Sequence, residues 1–459
     1  MAVSFAVPGC SNAGFSKQNK RPNIILCMTD DQGWGDTGYN GNQYVKTPNL
    51  DLMAKTGVRF DRFYSAAPVC SPTRGSCITG RHPYRYGIFF ANAGHMKKEE
   101  MTLAEVLKPL GYTTGHFGKW HMGTLTTKIK DANRGKPGDA SHYSPPWENG
   151  FDTCFSTESK VPTYDPMKNP EEPEKPYGTY YWQGPDQMVK ENLDGDDSRI
   201  IMDRAIPFMQ KAAKNNQPFF MVIWFHSPHL PVVAGAQYHQ MYKDLPEHGR
   251  NFFGCITAMD KQMGRLRTEL ENSDVANDTM LFFCSDNGPE GKKYDLENAA
   301  GSAKNLRGRK RSLYEGGIRV PGIMLWPAKI SSSMIIDTPC GTVDYFPTVM
   351  DALGYTLNND PGPIDGQSLL PFIYGKTKLR TAPLCFQSQK QLALTDNRLK
   401  LYSKDGGKTY ELYDIVKDPA EATDISADFP EEKARYIQQL NQWQQSCKAS
   451  LDGRDYLEQ

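Results

Sequence analysis

The amino-acid sequence predicts an α/β protein, with a large, mostly parallel central sheet between helices and a smaller C-terminal subdomain. Short apolar runs that are typical of buried strands recur before residue 360. Amphipathic segments of helical period separate these runs, and such alternation indicates a doubly wound sheet. Beyond residue 361 the pattern changes to short strands and a terminal helix. We therefore expect a leader at residues 1–20, a main domain at 21–360 and the subdomain at 361–459.

The predicted elements follow from these patterns in chain order. Buried strands are predicted at residues 24–28, 112–117, 219–225 and 280–284, and helices at 102–110, 198–214 and 252–271. Residues 123–198 are rich in Pro, Gly, aromatic and charged residues, so long loops are expected there. In the subdomain, short antiparallel strands are predicted at 392–394, 399–402 and 410–413, and a terminal helix at 431–447.

Composition narrows the class of protein. The 459 residues include 53 Lys+Arg and 53 Asp+Glu, and this zero net charge argues against nucleic-acid binding. No apolar run reaches the roughly 18 residues that a membrane span needs. The ten cysteines contain no C-x-x-C pair, which argues against a zinc ribbon.

The N-terminus leaves two interpretations open. Residues 2–8 form a short apolar stretch that lacks a basic start, and Cys10 follows directly after Gly9. This is either the remnant of an export signal with a lipidated Cys10, or a disordered leader. The first interpretation would place the protein outside the cytoplasm, as a periplasmic, secreted or lipid-anchored protein.

Polar side chains follow each of the four predicted parallel strands. Ligands of open α/β sheets bind at the carboxyl ends of the strands, so we expect these side chains to share one site. In chain order they are Asp30 and Asp31, Lys119 and His121, His226 and His229, and Asp286 and Asn287.

Residues 70–81 read Cys-Ser-Pro-Thr-Arg-Gly-Ser-Cys-Ile-Thr-Gly-Arg and predict the start of a helix. Pro72 suits the first turn, and Ser71 is expected to cap it. Cys70 would then lie just outside the helix N-terminus, where the helix dipole favours an anion, with Arg74 adding a positive charge. From these residues alone, Cys70 is either a nucleophile at an anion site or a buried structural cysteine.

The same segment resembles the sulfatase signature C-x-P-[ST]-R-x-x-x-x-T-G-R at every defined position. Residues 111–123, Gly-Tyr-Thr-Thr-Gly-His-Phe-Gly-Lys-Trp-His-Met-Gly, resemble the second signature of that family. Similar sequences carry Arg-Pro-Asn before a strand and two Asp after it, as at 21–31. They also carry Asp-Asn-Gly, here at 286–288, and Glu-Gly-Gly, here at 315–317. The resemblance runs from residue 21 to at least 419. It points to the formylglycine-dependent type I sulfatases of the alkaline phosphatase superfamily, and to their arylsulfatase and N-acetylgalactosamine-6-sulfatase type.

The resemblance implies hydrolysis of a sulfate monoester, with a sulfated carbohydrate or an aryl sulfate as the substrate. Cys70 would be converted to formylglycine by the formylglycine-generating enzyme, and the hydrated aldehyde would be the nucleophile. A sulfated hydrate keeps a second hydroxyl, and deprotonation of that hydroxyl expels sulfate and restores the aldehyde.

The resemblance also implies a role for each site residue. Asp30, Asp31, Asp286 and Asn287, with position 70, would hold a metal; oxygen donors suit Ca²⁺, with Mg²⁺ possible. Arg74 and Lys119 would bind sulfate, and His121 would be the base that breaks down the intermediate. His229 and Lys310 would protonate the leaving alcohol. His229 is preferred to His226 because the family pattern places the histidine directly before a residue-Pro pair.

Two other functions remain open from the sequence. A phosphodiesterase or phosphonate hydrolase can share the metal site and the modified cysteine. A non-catalytic binder of sulfated glycans would result if Cys70 were never modified. The two intact signatures favour sulfate ester hydrolysis.

Overall fold

A central eight-stranded sheet organises the computed structural model, which describes residues 21–357 and 362–456. The strands in chain order are β1 (Asn23–Thr29), β2 (Val58–Phe60), β3 (Phe63–Tyr64), β4 (Thr113–Lys119), β5 (Thr153–Thr157), β6 (Phe219–Trp224), β7 (Thr279–Ser285), β8 (Arg319–Val320), β9 (Gly322–Leu325), β10 (Met334–Ile336), β11 (Cys340–Gly341), β12 (Leu384–Ser388), β13 (Gln391–Thr395), β14 (Leu399–Ser403) and β15 (Glu411–Asp414). The helices are α1 (Pro48–Thr56), α2 (Cys70–Thr79), α3 (Pro83–Tyr86), α4 (Leu103–Leu107), α5 (Asp197–Lys214), α6 (Ala236–Gln240), α7 (Glu247–Asn272), α8 (Glu315–Ile318), α9 (Tyr345–Leu353), α10 (Leu370–Ile373) and α11 (Pro430–Leu451).

The central sheet has the strand order β10-β2-β9-β7-β1-β6-β4-β5. Neighbouring strands are parallel except where β9 pairs with β2 and β7. The four predicted strands are its adjacent members β7, β1, β6 and β4. The predicted fold class, a mostly parallel α/β sheet with a smaller C-terminal part, is therefore confirmed.

Helices cover both faces of this sheet, which explains why its strands are apolar without alternation. Ile24 and Leu26 of β1 belong to a core on one face, which includes Cys77 of α2. Ile25 of β1 belongs to the core on the other face, which includes Ile201 of α5 and residues of α7. Successive β1 side chains point to opposite faces, and both faces are buried.

The predicted loop segment 123–198 contains one strand that the sequence analysis missed. Strand β5 lies at the sheet edge and pairs in parallel with β4, for example Phe117 with Phe155. Its five residues, Thr-Cys-Phe-Ser-Thr, are too short and too polar to stand out from the irregular sequence around them. The remainder of the segment forms turns, isolated bridges and one short 3₁₀ helix at Pro146–Glu148.

The C-terminal part contains an antiparallel sheet in the order β12-β13-β14-β15, of which β12 was not predicted. Tyr436 and Leu440 of α11 pack on one face of this sheet, against Leu394 and Leu401. The other face packs on Tyr64 and residues near α8.

Two predictions concern residues that the structure does not describe. The predicted domain boundary near residue 360 falls among residues 358–361, and the predicted leader, which contains Cys10, is residues 1–20. Both stay predictions. None of the helices in the described part is both long and apolar enough to cross a membrane.

Candidate active site

The site lies where four adjacent strands of the central sheet end. Strands β1, β4, β6 and β7 deliver Asp30 and Asp31, Lys119, His229, and Asp286 with Asn287 to this edge, and the loop after β7 adds Lys310. Helix α2 begins there with Cys70. One potential ligand atom from each of Asp30, Asp31, Cys70 and His229 lies within 4.8 Å of the others. The structure therefore brings together side chains that the sequence separates by up to 280 positions.

Asp31 is the most connected residue of the cluster. Its N–H donates to Oδ1 of Asp286 at 3.0 Å, its Oδ1 accepts from Nδ2 of Asn287 at 2.7 Å, and its Oδ2 accepts from Nζ of Lys310 at 2.6 Å. The backbone of Asp31 has a φ of 64°, a conformation that costs about 1–3 kcal/mol and persists where surrounding contacts enforce it. The carboxylate is thus held in one orientation.

Two further cations of the site, Lys119 and Arg74, are completely buried, and each pairs with a carboxylate other than that of Asp31. Nζ of Lys119 lies 2.6 Å from Oδ2 of Asp30, and Nη2 of Arg74 lies 2.7 Å from Oδ2 of Asp286. Arg74 also donates to the carbonyl of Lys119 at 3.0 Å, and its guanidinium lies 5.3 Å from the ring of Trp224. Burial is tolerated here because each charge has an opposite partner.

Cys70 is the first residue of α2, and it is 2% exposed. The helix begins two residues earlier than expected: Val69, not Ser71, is the N-cap, and it makes no side-chain cap hydrogen bond. Ser71 lies inside the helix, where its Oγ accepts from the N–H of Asn92 at 3.3 Å. Burial raises the pKa of the Cys70 thiol to about 11, although Lys119 and Lys310 lower it. An unmodified Cys70 is therefore a neutral thiol at physiological pH, which is a poor nucleophile.

His121 has one engaged and one unengaged ring nitrogen. Its Nε2 lies 2.9 Å from Oδ1 of Asn92, and its buried Nδ1 has no hydrogen-bond partner among the described residues. An amide oxygen only accepts, so Nε2 carries the proton and Nδ1 keeps a free lone pair. Burial, and then the nearby charge of Lys119, holds the pKa of His121 well below its usual range. The ring is thus a neutral base.

His229 and His226 follow the same strand but differ in their surroundings. Nδ1 of His229 hydrogen-bonds the carbonyl of Leu230 at 2.6 Å, and its Nε2 lies 3.5 Å from Oδ2 of Asp31. His226 is fully buried, with Nδ1 2.8 Å from Asp197 and Nε2 2.8 Å from Thr157. Both nitrogens of His226 are engaged away from the cluster, which supports the choice of His229.

The donor atoms of the cluster fit a hard divalent cation. Oδ1 of Asp30 and Oδ1 of Asn287 are buried acceptors without a hydrogen-bond partner among the described residues. Unpaired buried oxygens are costly, and a cation that prefers oxygen ligands would satisfy them. Asp286 lies outside the group of Asp30, Asp31, Cys70 and His229, and its two oxygens accept from the N–H of Asp31 and from Arg74.

Three residues near the site were missed by the sequence analysis. Asn92 orients His121, as described above, and lies in a loop without a recognisable motif. Oε2 of Glu290 lies 3.4 Å from Nζ of Lys310. Lys160 follows β5 on the same sheet edge. Only the placement of β5 beside β4 would have drawn attention to Lys160, and that strand was not predicted.

A family model described as Sulfatase matches residues 22–355, a range that contains all of these site residues. The chain belongs to the sulfatase family. A second family model, described as N-sulphoglucosamine sulphohydrolase, C-terminal, matches residues 308–448 of this sulfatase.

Individual relatives agree with this assignment. The sulfatase is 31% identical over 373 residues to mouse N-acetylgalactosamine-6-sulfatase, and the aligned region covers 76% of the chain and 66% of the relative. It is 30% identical over 407 residues to rat arylsulfatase G, with 82% and 72% covered. The chain thus spans about two thirds of the length of these relatives. Among solved structures, that described as "Crystal structure of Ps i-CgsB" matches with a TM-score of 0.80 and 25% identity, over 93% of both chains.

Proposed function

We propose that this sulfatase hydrolyses sulfate monoesters at the end of β1, β4, β6 and β7, with a sulfated carbohydrate as its substrate. One observation supports this most strongly: three buried cations, Arg74, Lys119 and Lys310, pair with the aspartates of the cluster and also attract a negative charge at position 70, the start of α2. A tetrahedral anion at that point would meet positive charge from several directions and the free N–H groups of the first helical turn. The name of the mouse relative, N-acetylgalactosamine-6-sulfatase, supports a sugar sulfate.

Position 70 is proposed to carry formylglycine, made by the formylglycine-generating enzyme. Formylglycine would supply a hydrated aldehyde as the nucleophile, a role that the neutral, buried thiol of Cys70 does not fill. The start of α2 favours a negatively charged group here through the helix dipole. Arg74 lies one turn further along the helix, and its guanidinium is 2.7 Å from Asp286 and 3.5 Å from Asp30.

Asp30, Asp31, Asp286 and Asn287 are proposed to hold Ca²⁺, or Mg²⁺, together with position 70. When bound, the ion would supply positive charge that stabilises the sulfate oxygens. The chain prepares for this by fixing Asp31 between the side chains of Asn287 and Lys310. Lys119 fixes one oxygen of Asp30, and the other has no hydrogen-bond partner in the part of the chain that the structure describes.

His121 is proposed to accept a proton during breakdown of the sulfated intermediate. The base atom is Nδ1, because Nε2 donates to Asn92. The low pKa that burial imposes keeps this ring neutral at physiological pH, as a general base requires.

His229 and Lys310 are proposed to protonate the leaving oxygen. Both approach the same oxygen of Asp31, at 3.5 and 2.6 Å. Burial lowers the pKa of His229 to about 4, and the carboxylates of Asp30 and Asp31 oppose this shift. A bound sulfate adds negative charge and favours the protonated ring.

The proposal includes a location outside the cytoplasm, based on the family resemblance and the apolar stretch near Cys10.

The decisive experiment compares turnover of nitrophenyl sulfate with that of a nitrophenyl phosphate diester and a phosphonate monoester. We expect the sulfate ester to give the highest kcat/KM. A preference for the diester or the phosphonate would contradict the proposal. The mass of the peptide that contains Cys70 separates an active enzyme from a chain that only binds sulfated glycans.

A further inference from the structure

Lys160 lies in the loop that follows β5, at the sheet edge where the site is formed. In the segment 154–163 it is the one residue that is not buried. Strand β5 ends at Thr157, on the same sheet edge as β4 and Lys119. The loop therefore holds Lys160 beside the cluster of site residues, with the lysine side chain partly exposed to solvent.

Hydrogen bonds tie the first part of this loop to His121. Oγ of Ser159 accepts from Nδ2 of Asn133 at 3.2 Å, and the same amide group donates to Oδ1 of Asn92 at 3.2 Å. Asn92 in turn accepts from Nε2 of His121. The backbone next to Lys160 is thus connected to the proposed base through two asparagine side chains.

The other end of the loop is tied to the segment that carries His229. The N–H of Thr163 donates to the carbonyl of Pro231 at 3.4 Å. The hydroxyl of Thr163 donates to the carbonyl of Val233 at 2.7 Å and accepts from its N–H at 2.8 Å. Lys160 therefore lies on a loop fixed at both ends, between the supports of His121 and His229.

The charge of Lys160 differs from the other charges of the site in its surroundings. Within residues 21–357 and 362–456, its ammonium makes neither a hydrogen bond nor an ion pair, whereas Lys119 and Lys310 each donate to a carboxylate. Burial, with repulsion from Lys119 and Lys310, lowers the pKa of Lys160, and attraction to Asp30 and Asp31 opposes this. A half-buried ammonium that sits near other cations and lacks a counter-ion is unfavourable until an anion arrives.

We propose that Lys160 binds a second anionic group of the substrate, a sulfate or carboxylate that lies next to the scissile sulfate on the same saccharide. The scissile sulfate has its own cations, Arg74, Lys119 and Lys310, which are more deeply buried than Lys160. Lys160 is partly exposed, so its ammonium is available to the part of the substrate that extends from the scissile sulfate toward solvent. This inference rests on the proposed function and names its substrate class: saccharides that carry more than one negative charge.

The test measures binding without turnover, in the full chain with Cys70→Ala and with Ca²⁺ in the buffer. Calorimetry compares N-acetylgalactosamine 6-sulfate, its 4,6-disulfate, and a disaccharide that joins the monosulfated sugar to a uronic acid. A charge-assisted contact contributes enough for about a tenfold difference in Kd. We expect the 4,6-disulfate, the uronate disaccharide or both to bind about tenfold more tightly than the monosulfate. Which of the two gains affinity distinguishes a sulfate from a carboxylate at Lys160.

Three variants in the same background make the result specific. Lys160→Met removes the charge and keeps the length, so the affinity ratio should fall to about one. Lys160→Arg should keep the preference, as should the control Lys261→Met, which removes an exposed lysine of α7. The melting temperature of Lys160→Met should be no lower than that of its parent, because the ammonium of Lys160 makes no hydrogen bond or ion pair among the described residues and is unfavourable without an anion.

Two results would overturn the inference. One is equal affinity for all three saccharides when Lys160 is present, including no measurable binding of any. The other is a preference that survives in Lys160→Met. Failure of the proposed function is seen separately, as lack of nitrophenyl sulfate hydrolysis by the chain with an intact position 70.

Discussion

Nζ of Lys310 donates to Oδ2 of Asp31 at 2.6 Å, although 279 positions separate the two residues. Nε2 of His229 approaches the same oxygen to 3.5 Å. A proposed metal ligand is therefore in contact with both groups proposed to protonate the leaving oxygen. Loss of Asp31 should affect metal binding and the position of Lys310 together, and the variants below are designed to separate these effects.

Cys70→Ala should abolish sulfatase turnover and leave the melting temperature almost unchanged. The substitution removes the proposed nucleophile, while α2 keeps its start and its surrounding ion pairs. Activity on nitrophenyl sulfate and thermal unfolding are measured on the same preparation. More than trace activity in a folded Cys70→Ala protein would show that another group is the nucleophile.

Asp31→Ala and Asp286→Ala should each lose bound metal and activity together. Both carboxylates belong to the proposed oxygen ligands of Ca²⁺ or Mg²⁺. Elemental analysis after dialysis measures the metal, and Asp244→Ala, an exposed carboxylate after α6, is the control. Full metal content in either site variant, or stoichiometric zinc in the parent protein, would contradict this assignment.

His229→Ala should reduce kcat/KM far more for a sugar sulfate than for nitrophenyl sulfate. A sugar alkoxide needs a proton to leave, whereas nitrophenolate leaves without help, and general acid catalysis contributes roughly 10²–10⁴-fold. Lys310→Ala should show the same asymmetry. His239→Ala, which removes a histidine of α6 paired with Glu247, is the control. Equal losses on both substrates would mean that His229 binds sulfate instead of donating a proton.

Lys400→Met should destabilise the fold strongly. Nζ of Lys400 lies 2.9 Å from Glu315 and 3.0 Å from Glu421, and all three side chains are completely buried. Removing Lys400 takes the ion-pair partner from buried Glu421 and leaves Glu315 with Arg319 at 3.6 Å, and breaking a buried ion pair costs about 3–5 kcal/mol. Lys175→Met removes an exposed pair with Glu172 and should cost no more than about 1 kcal/mol. Denaturant unfolding measures the free energy of unfolding of both variants. Similar losses of stability in Lys400→Met and Lys175→Met would contradict a stabilising role for the buried pairs of Lys400.

Asp131 should make the fold less stable as the pH rises. Burial raises its pKa from 3.8 to about 7, although Tyr180 and Trp182 donate hydrogen bonds to it. The folded state thus retains a proton that the unfolded chain has lost, so this contribution falls as the pH rises from about 4 to about 7. Asp131→Asn cannot titrate there. The free energy of unfolding of the parent, relative to that of Asp131→Asn, should therefore fall across that pH interval. A difference that stays constant with pH would contradict the raised pKa of Asp131.

Much of the architecture could be predicted from the sequence because its signals are local. The buried strands β1, β6 and β7 are continuous apolar runs, and the long helices α5, α7 and α11 keep a helical period over many residues. The signatures at 70–81 and 111–123 are local as well, and they led to the sulfatase family. Strand β5 was missed because it is short and polar and its partner β4 is distant in sequence. Strand β12 was missed although its partner β13 follows directly, because its five residues form only a short apolar run.

The sequence by itself determined the family, the central strands and which residue types stand at their ends. Only the tertiary structure decided how those residues pair, because side chains on separate strands meet only after the sheet has formed. Asp31 pairs with Lys310, which lies 279 positions further along the chain. Asn92 accepts from Nε2 of His121, so Nδ1 is the ring nitrogen that can act as the base. That Lys160 lacks an ion-pair partner among the described residues is likewise a property of the folded chain. Hydrogen bonds and ion pairs act over a few ångströms in space, whatever the separation along the chain.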